Sequence, residues 1–267
     1  MPLMFDMPLR AGRRDRAFRM GADFFLHERA FADCFERIEL MQRRFSRALL
    51  VGCPDPEWPR RLGALADQVS VVEPGPLFAA TAGGTVVIED RIAARADAFD
   101  LIVAIGTLDT VDDLPAALRA LASSLAPDGL MIGAMSGGDT VPQLRAAMHA
   151  ADRVSGGARP HVHPRIEPSA LVHLLSNAGL SRPVVDIDRV KVSYASLGRL
   201  VGDLRAMAAT SILVERAPEP LSRSEHAAAC TAFANAGANG KTVETFEILH
   251  FAGWRGGADR STSANGR

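Results

Sequence analysis

The sequence predicts an α/β protein built on a doubly wound, mainly parallel sheet. Short, continuously apolar runs of strand length recur along the chain, at residues 48–52, 100–106 and 130–135. Continuous apolarity, as opposed to alternation, implies strands buried on both faces. Helical periodicity and turn signals separate the runs, and strand–helix–strand units of this length need crossover connections, hence parallel neighbours. The 267 residues, 48% of them hydrophobic, suffice for one large core or two small ones.

Taken in order, the first element is helical. Phe24, Phe31, Phe35, Ile38, Met41 and Phe45 recur at spacings of three, four and seven, an apolar stripe that must pack on something. Ahead of it, Arg10, Arg13, Arg14, Arg16 and Arg19 read as a solvated helix face or as a partner-binding face. Strands are expected at 48–52, 69–73, 85–88 and 100–106. Leu114, Ala117, Leu118, Leu121 and Leu125 then keep helical spacing, with Pro115 suited to a first turn. Pro127-Asp128-Gly129 is a turn before the strand at 130–135. Thr140-Val141-Pro142-Gln143 suggests a capping box opening a helix to about residue 154. Further helices are expected at 168–177, 197–209 and 222–233, strands at 184–194 and 245–254, and a disordered polar tail at 255–267.

Composition excludes several classes of function. Thirty Lys and Arg against 31 Asp and Glu, a net charge of −1, lack the basic excess of a nucleic-acid binder. Three cysteines, Cys34, Cys53 and Cys230, show neither CxxC nor finger spacing, which argues against a disulfide framework or a structural zinc site. His161-Val162-His163-Pro164 offers two imidazoles with no third ligand at local spacing, so a surface or hydrogen-bonded role is expected and no metal. There is no Gly-x-Ser-x-Gly elbow, and Cys53 has no recognisable base, which disfavours nucleophilic hydrolysis. The apolar runs are too short for a transmembrane segment. The Arg-rich N-terminal stretch lacks an apolar segment with a cleavage site, and Asp6 and Asp15 interrupt it. The expected location is therefore a bacterial cytoplasm.

An open parallel sheet binds its ligand outside the carboxyl ends of its strands. Gly52 and Cys53 follow the first strand, where a residue without Cβ permits close approach. Glu73 ends the second, placed either to accept hydrogen bonds from ribose hydroxyls or to sit in a solvated loop. Glu89 and Asp90 follow the third, within reach of an adenine amino group, and Ile105 and Gly106 close the fourth. The first loop, Gly52-Cys53-Pro54-Asp55-Pro56, does not cradle phosphate, because two prolines remove two N–H donors. Gly137, Gly138, Asp139 and Arg145 form either a ligand-mouth loop facing a substrate or a tight strand–helix joint capped by Asp139 or Thr140.

An ordered series of motifs now carries a resemblance. Asp112-Asp113-Leu114-Pro115, Ala126-Pro127-Asp128-Gly129, Ile132-Gly133-Ala134-Met135, Gly137-Gly138-Asp139-Thr140 and Leu144-Arg145 resemble the class I S-adenosylmethionine-dependent methyltransferases. More narrowly, they resemble the methyltransferase-like arginine-hydroxylase assembly factors of respiratory complex I and their proteobacterial relatives. The likeness runs over about residues 5–254 and is strongest from Asp112 to Met207. It implies a Rossmann-like, seven-stranded sheet with an antiparallel last strand and an S-adenosylmethionine pocket at the first strand ends. It also implies an N-terminal helical cap (1–46) on a methyltransferase-like domain (47–254) with helical insertions around 140–240. The implied activity is that of a methyltransferase-family protein acting on a protein or carrier-protein substrate, a complex I subunit included. Arginine hydroxylation and a catalytically silent assembly or scaffold role are the alternatives. Asp139, His161 and Tyr194 are candidates for a general base. The family's first-loop acid and three glycines fall on Leu50, Gly52, Pro54 and Pro56, and its His-Trp pair on Asp109-Thr110.

Overall fold

The computed structural model describes residues 3–21 and 23–257. Helices α1 (Met7–Arg19) and α2 (Phe25–Leu40) precede β1 (Phe45–Val51). There follow α3 (Glu57–Leu62), β2 (Ala66–Glu73), α4 (Pro76–Thr81), β3 (Thr85–Val86), β4 (Phe99–Ile105), α5 (Leu114–Ser124) and β5 (Leu125–Ser136). Helices α6 (Pro142–Ser155) and α7 (Pro168–Asn177), strand β6 (Leu180–Tyr194), helices α8 (Leu197–Ala206) and α9 (Arg223–Asn235), and strand β7 (Thr242–Arg255) complete the fold. The seven strands form one sheet in the order β3-β2-β1-β4-β5-β7-β6. β1 to β5 run parallel, and β7 is antiparallel to both its neighbours.

Continuous apolarity does mean burial on both faces. Ala48 and Leu50 of β1 join Phe31, Cys34 and Ile38 of α2 and Trp58 of α3 on one side. Leu49 and Val51 join Leu118 and Leu121 of α5 on the other. At Gly133 the layers come too close for a side chain: a Cβ there would lie 2.2 Å from the Ala104 carbonyl oxygen and 2.6 Å from Phe251 Cζ. A third cluster ties Ala17 of α1 to Phe78 of α4, Leu200 of α8 and Phe233 of α9. The helices that follow β5 thus meet the N-terminal helix over the sheet's carboxyl edge.

The structure corrects several local expectations. Phe45 belongs to β1 and not to the helical stripe, because α2 stops at Leu40. Strands β2 and β7 start three residues earlier than expected, at Ala66 and Thr242. β6 also starts earlier, at Leu180, with a register shift between Ser181 and Val184 where Pro183 interrupts an edge strand. The six-residue helices α3 and α4 are shorter than a window in which periodicity registers. There is no capping box at Thr140. Helix α6 begins at Pro142 after Val141 in the left-handed region (φ 55°), with no capping side chain from its own N-cap. Its free N–H groups are met from β7, where Glu244 accepts from Gln143 N at 3.2 Å and Leu144 N at 2.9 Å. Residues 258–267 of the expected polar tail lie outside the described residues. No helix among the described residues is long and apolar enough to cross a membrane.

Candidate functional site

Two adjoining regions lie at the carboxyl edge of the parallel strands. The first is the crevice over β1, β2 and β3, where the sequence placed a nucleoside. Glu73, the last residue of β2, is fully buried, and all its acceptor positions are used. Oε2 accepts from Cys53 N at 2.7 Å and Arg14 Nη2 at 2.8 Å. Oε1 accepts from Gly75 N at 2.7 Å and from Arg14 Nε. Glu89, in the single 3-10 turn after β3, accepts from Arg10 Nη1 at 2.7 Å and Nη2 at 2.9 Å. Arg10 Nη2 also donates to the Thr107 carbonyl at 2.8 Å.

Arg10 and Arg14 stand one turn apart on α1, so a single helix face covers both carboxylates. Both guanidiniums are buried, and Arg14 lies against the rings of Phe24 and Phe78, 5.7 and 5.5 Å from their centroids. The solvated or partner-binding face expected for these arginines is thereby corrected. A buried carboxylate needs a cation or several N–H donors, and α1 supplies both. The helix is pinned at each end. Asp6 caps it at Leu9 N (2.9 Å), Asp6 N donates to the Ile212 carbonyl (2.8 Å), and Asp15 accepts from Leu77 N of α4 (3.0 Å).

The first loop is closed in the same way. Gly52 has φ 83°, and a Cβ there would lie 2.4 Å from the Ile105 carbonyl oxygen. The glycine therefore serves strand packing. Asp55 accepts from Glu57 N at 2.9 Å through its side chain and from Trp58 N at 3.1 Å through its carbonyl, turning the proline-framed loop directly into α3. Burial, with Glu73 beside it, pushes the Cys53 thiol up to about 12. Asp90 turns away to accept from Asp113 N at 3.3 Å. These residues do not fit the nucleoside of S-adenosylmethionine while α1 is docked. The carboxylates that would take its hydroxyl and amino hydrogens already hold arginines, and the two prolines strip two N–H donors from the loop that would admit it.

The second region is a cavity of about 220 Å³ over β4 and β5. Leu26 and Ala30 of α2, Met148 of α6, Leu204 of α8 and Phe246 of β7 give it apolar walls. Its polar end, at His27, His163 and Arg165, continues into a chamber of about 60 Å³ lined also by Arg10, Arg14 and Asp109. Arg165 and Asp109 form a buried ion pair. Burial alone would raise the Asp109 pKa, but the charges of Arg165 and Arg10 hold it below the usual carboxylate range. Burial, helped by the Arg14 charge, lowers His27 to about 4. Burial and Arg165 lower His163 to about 3. Both imidazoles are therefore neutral near pH 7. His163 Nε2 is committed as acceptor to Ile212 N at 2.8 Å. Gly106 leaves room for the His27 ring, since a Cβ there would meet its Cδ2 at 2.2 Å.

Of the residues singled out from sequence, Ile105, Gly106, Thr140, His161 and His163 line this cavity. The three base candidates are not brought together. Asp139 is 71% exposed at its side chain and faces Arg189 at 3.6 Å. His161 contacts Asp152 at 2.8 Å. Tyr194 donates to Asp203 at 2.9 Å, and burial together with that bond pushes its pKa up. Gly137 and Gly138 are a tight joint, where added Cβ atoms would each lie 2.4 Å from an oxygen, of Glu247 and Glu167 respectively. Neither Asp139 nor Thr140 caps the helix that follows: Thr140 Oγ1 instead donates to the Glu247 carbonyl at 3.0 Å. Arg145 is held by the carbonyls of Thr140 (3.4 Å) and His163 (3.1 Å). Sequence reasoning gave Arg10 and Arg14 no place at the crevice and missed His27 and Arg165. The signal for the first two was the i, i+4 spacing of arginines on a helix whose face has no apolar stripe to bury.

The strand order, the antiparallel β7 and the crevice at the strand ends define a Rossmann-like methyltransferase fold. Residues 25–182 match the family described as a methyltransferase domain, and the chain belongs to that family. It is 35% identical over 170 residues to the mitochondrial arginine-hydroxylase NDUFAF5 of Mus musculus, covering 62% of this chain and 49% of that protein. It is 30% identical over 167 residues to the malonyl-[acyl-carrier protein] O-methyltransferase of Xylella fastidiosa, covering 62% and 55%. The chain thus spans about half the length of these curated relatives. Among solved structures, the YcgJ protein of Bacillus subtilis superposes with a TM-score of 0.58 at 12% identity, over 83% of this chain and 97% of that one. That is a likeness of fold.

Proposed function

We propose that this chain is an assembly-type member of the methyltransferase family. It uses the fold to hold a group presented by a protein or carrier protein in the cavity over β4 and β5, and it carries no S-adenosylmethionine while α1 is docked. The observation that supports this is the pairing of Arg14 with Glu73 and of Arg10 with Glu89. Removing one partner of a buried ion pair costs roughly 3–5 kcal/mol, a factor of roughly 10² to 10⁴ in affinity that a competing cofactor would have to supply. Hydroxyl and amino groups of a nucleoside are neutral donors and cannot match two bidentate guanidiniums. The relatives, one named for a mitochondrial arginine hydroxylase and one for a carrier-protein methyltransferase, support a macromolecule-borne partner group, a respiratory complex I subunit among the candidates. A net charge of −1 suits such partners better than nucleic acid.

Calorimetric titration of the purified chain with S-adenosylmethionine tests this reading. The expected result is no heat of binding up to millimolar ligand. Micromolar binding by the unaltered chain, lost on Glu73→Ala, would overturn it. The relatives' name also carries a second reading, hydroxylation of an arginine on a partner. It is tested by mass spectrometry of partner proteins from cells with and without this chain: an arginine one oxygen heavier only when the chain is present would establish it.

A further inference from the structure

Away from the crevice, Asp33 and Cys34 of α2 converge with His250 of β7, one donor atom of each within 4.8 Å of the other two. The local patterns place them there. Ala30, Cys34 and Ile38 form the buried stripe of α2, and Ile248, His250 and Ala252 alternate onto one face of β7. A thiol and an imidazole thus occupy positions where the pattern calls for aliphatic side chains. His250 is 4% exposed, and its Nδ1 lies 2.9 Å from Asp33 Oδ2. Neither atom makes an aligned hydrogen bond. His250 Nδ1 therefore faces Asp33 Oδ2 at contact distance without an aligned hydrogen bond, and Arg37 Nε lies 2.7 Å from the same oxygen.

The charges around the trio are those of Asp33, Asp186 and Asp188 against Arg37 and Arg29. Arg37 bridges Asp33 (2.7 Å) and Asp186 (2.6 Å), and Arg29 pairs with Asp188 (2.6 Å). Three carboxylates against two guanidiniums leave the patch one negative charge.

The geometry points to a site for one divalent ion of the zinc class, held by Cys34 Sγ, His250 Nδ1 and an Asp33 oxygen, with a fourth position open to solvent beside Asp33. Thiolate with imidazole selects zinc over magnesium or calcium. Binding forms three metal–ligand bonds and releases the Cys34 thiol proton to solvent. Arg37 yields one Asp33 oxygen and keeps Asp186. The ion ties α2, whose Leu26 and Ala30 line the cavity, to β7, whose Phe246 and Ile248 line it too. It acts as a clamp on the cavity wall.

The test uses the full chain, reduced and stripped with EDTA, then titrated with cobalt(II) chloride and back-titrated with zinc sulfate. Cys230 needs a control, because it lies 3.7 Å from His226 one turn away on α9. One equivalent of cobalt should give a near-ultraviolet thiolate-to-metal band, displaced by zinc, retained in Cys230→Ser and lost in Cys34→Ser. Asp33 is partly exposed, so Asp33→Asn should keep the native circular dichroism spectrum while weakening cobalt binding at least about tenfold. Zinc should raise the melting temperature of the unaltered chain by more than that of Asp33→Asn. Absence of the band at millimolar cobalt, its loss in Cys230→Ser, or unchanged affinity in folded Asp33→Asn would each overturn the proposal.

Discussion

Glu73 is the residue on which sequence and structure say different things about the same atoms. At the end of a second parallel strand, an acid reads as a ribose anchor, and its position is as expected. What the sequence does not show is that four N–H groups, two of them from Arg14, already fill its oxygens. Arg14→Ala would leave that carboxylate buried and half-satisfied, so a loss of about 3–5 kcal/mol in unfolding free energy is expected. Arg16→Ala, on the exposed side of the same helix, should change it by less than about 0.5 kcal/mol. Urea unfolding of the two variants checks the contrast.

Glycines give a second residue-scale test. Gly106 has φ 62° and the His27 ring against it, whereas Gly202 sits within α8 with nothing within 4 Å. Gly106→Ala should destabilise by about 1–3 kcal/mol, and Gly202→Ala should stabilise by roughly 0.5–1 kcal/mol. Urea unfolding measures both.

The buried imidazoles set the pH dependence. His27 and His163 stay neutral in the folded chain down to about 4 and about 3, while in the unfolded chain they protonate near 6.5. Between those values the unfolded state binds more protons, so stability falls as pH drops from about 6.5 towards 4. The loss is up to roughly 1.4 kcal/mol per unit for each imidazole. The depressed Asp109 adds its own loss only below the ordinary carboxylate pKa, outside this window. Unfolding titrations at pH 7, 5.5 and 4.5 should show the slope, and His163→Gln should reduce it. A flat profile above pH 4.5 would contradict the buried, neutral assignment.

Among elements, α1 departs most from its sequence reading. Strands β1, β4 and β5 were legible because double-sided burial writes an unbroken apolar run. Helix α5 was legible because its stripe is apolar at helical spacing and Asp113-Leu114-Pro115 marks its start; Asp113 accepts from Ala116 N at 2.8 Å. α1 has no apolar stripe, so periodicity assigned it to solvent. Its burial depends on charges 59 and 79 residues away in sequence, which no local window contains. The α6 cap was missed for the same reason, because Glu244 comes from a strand about a hundred residues later. The pairings predict that the double variant Arg10→Ala, Arg14→Ala loosens α1 as a unit. Limited proteolysis should then cut within residues 7–19 at least about tenfold faster, with Arg16→Ala, Arg19→Ala as the unaffected control. Equal cutting rates would mean that the apolar contacts of Ala17 and Phe24, and not the ion pairs, hold the helix.

For the whole molecule, the sheet, its seven strands and the antiparallel β7 follow the family resemblance, and the ligand side of the fold lies where an open parallel sheet places it. What the chain does there depends on which groups fill the carboxyl edge. In the proposed reading, α1 fills the nucleoside crevice, and the neighbouring cavity, with neutral imidazoles and a paired arginine at its polar end, takes the guest. Hydrogen exchange of the α1 amides, with and without millimolar S-adenosylhomocysteine, tests this arrangement most directly. A docked α1 should show slow exchange across residues 11–19, unchanged by the ligand. Fast exchange in the free chain, or a loss of protection confined to α1 when S-adenosylhomocysteine is added, would contradict it.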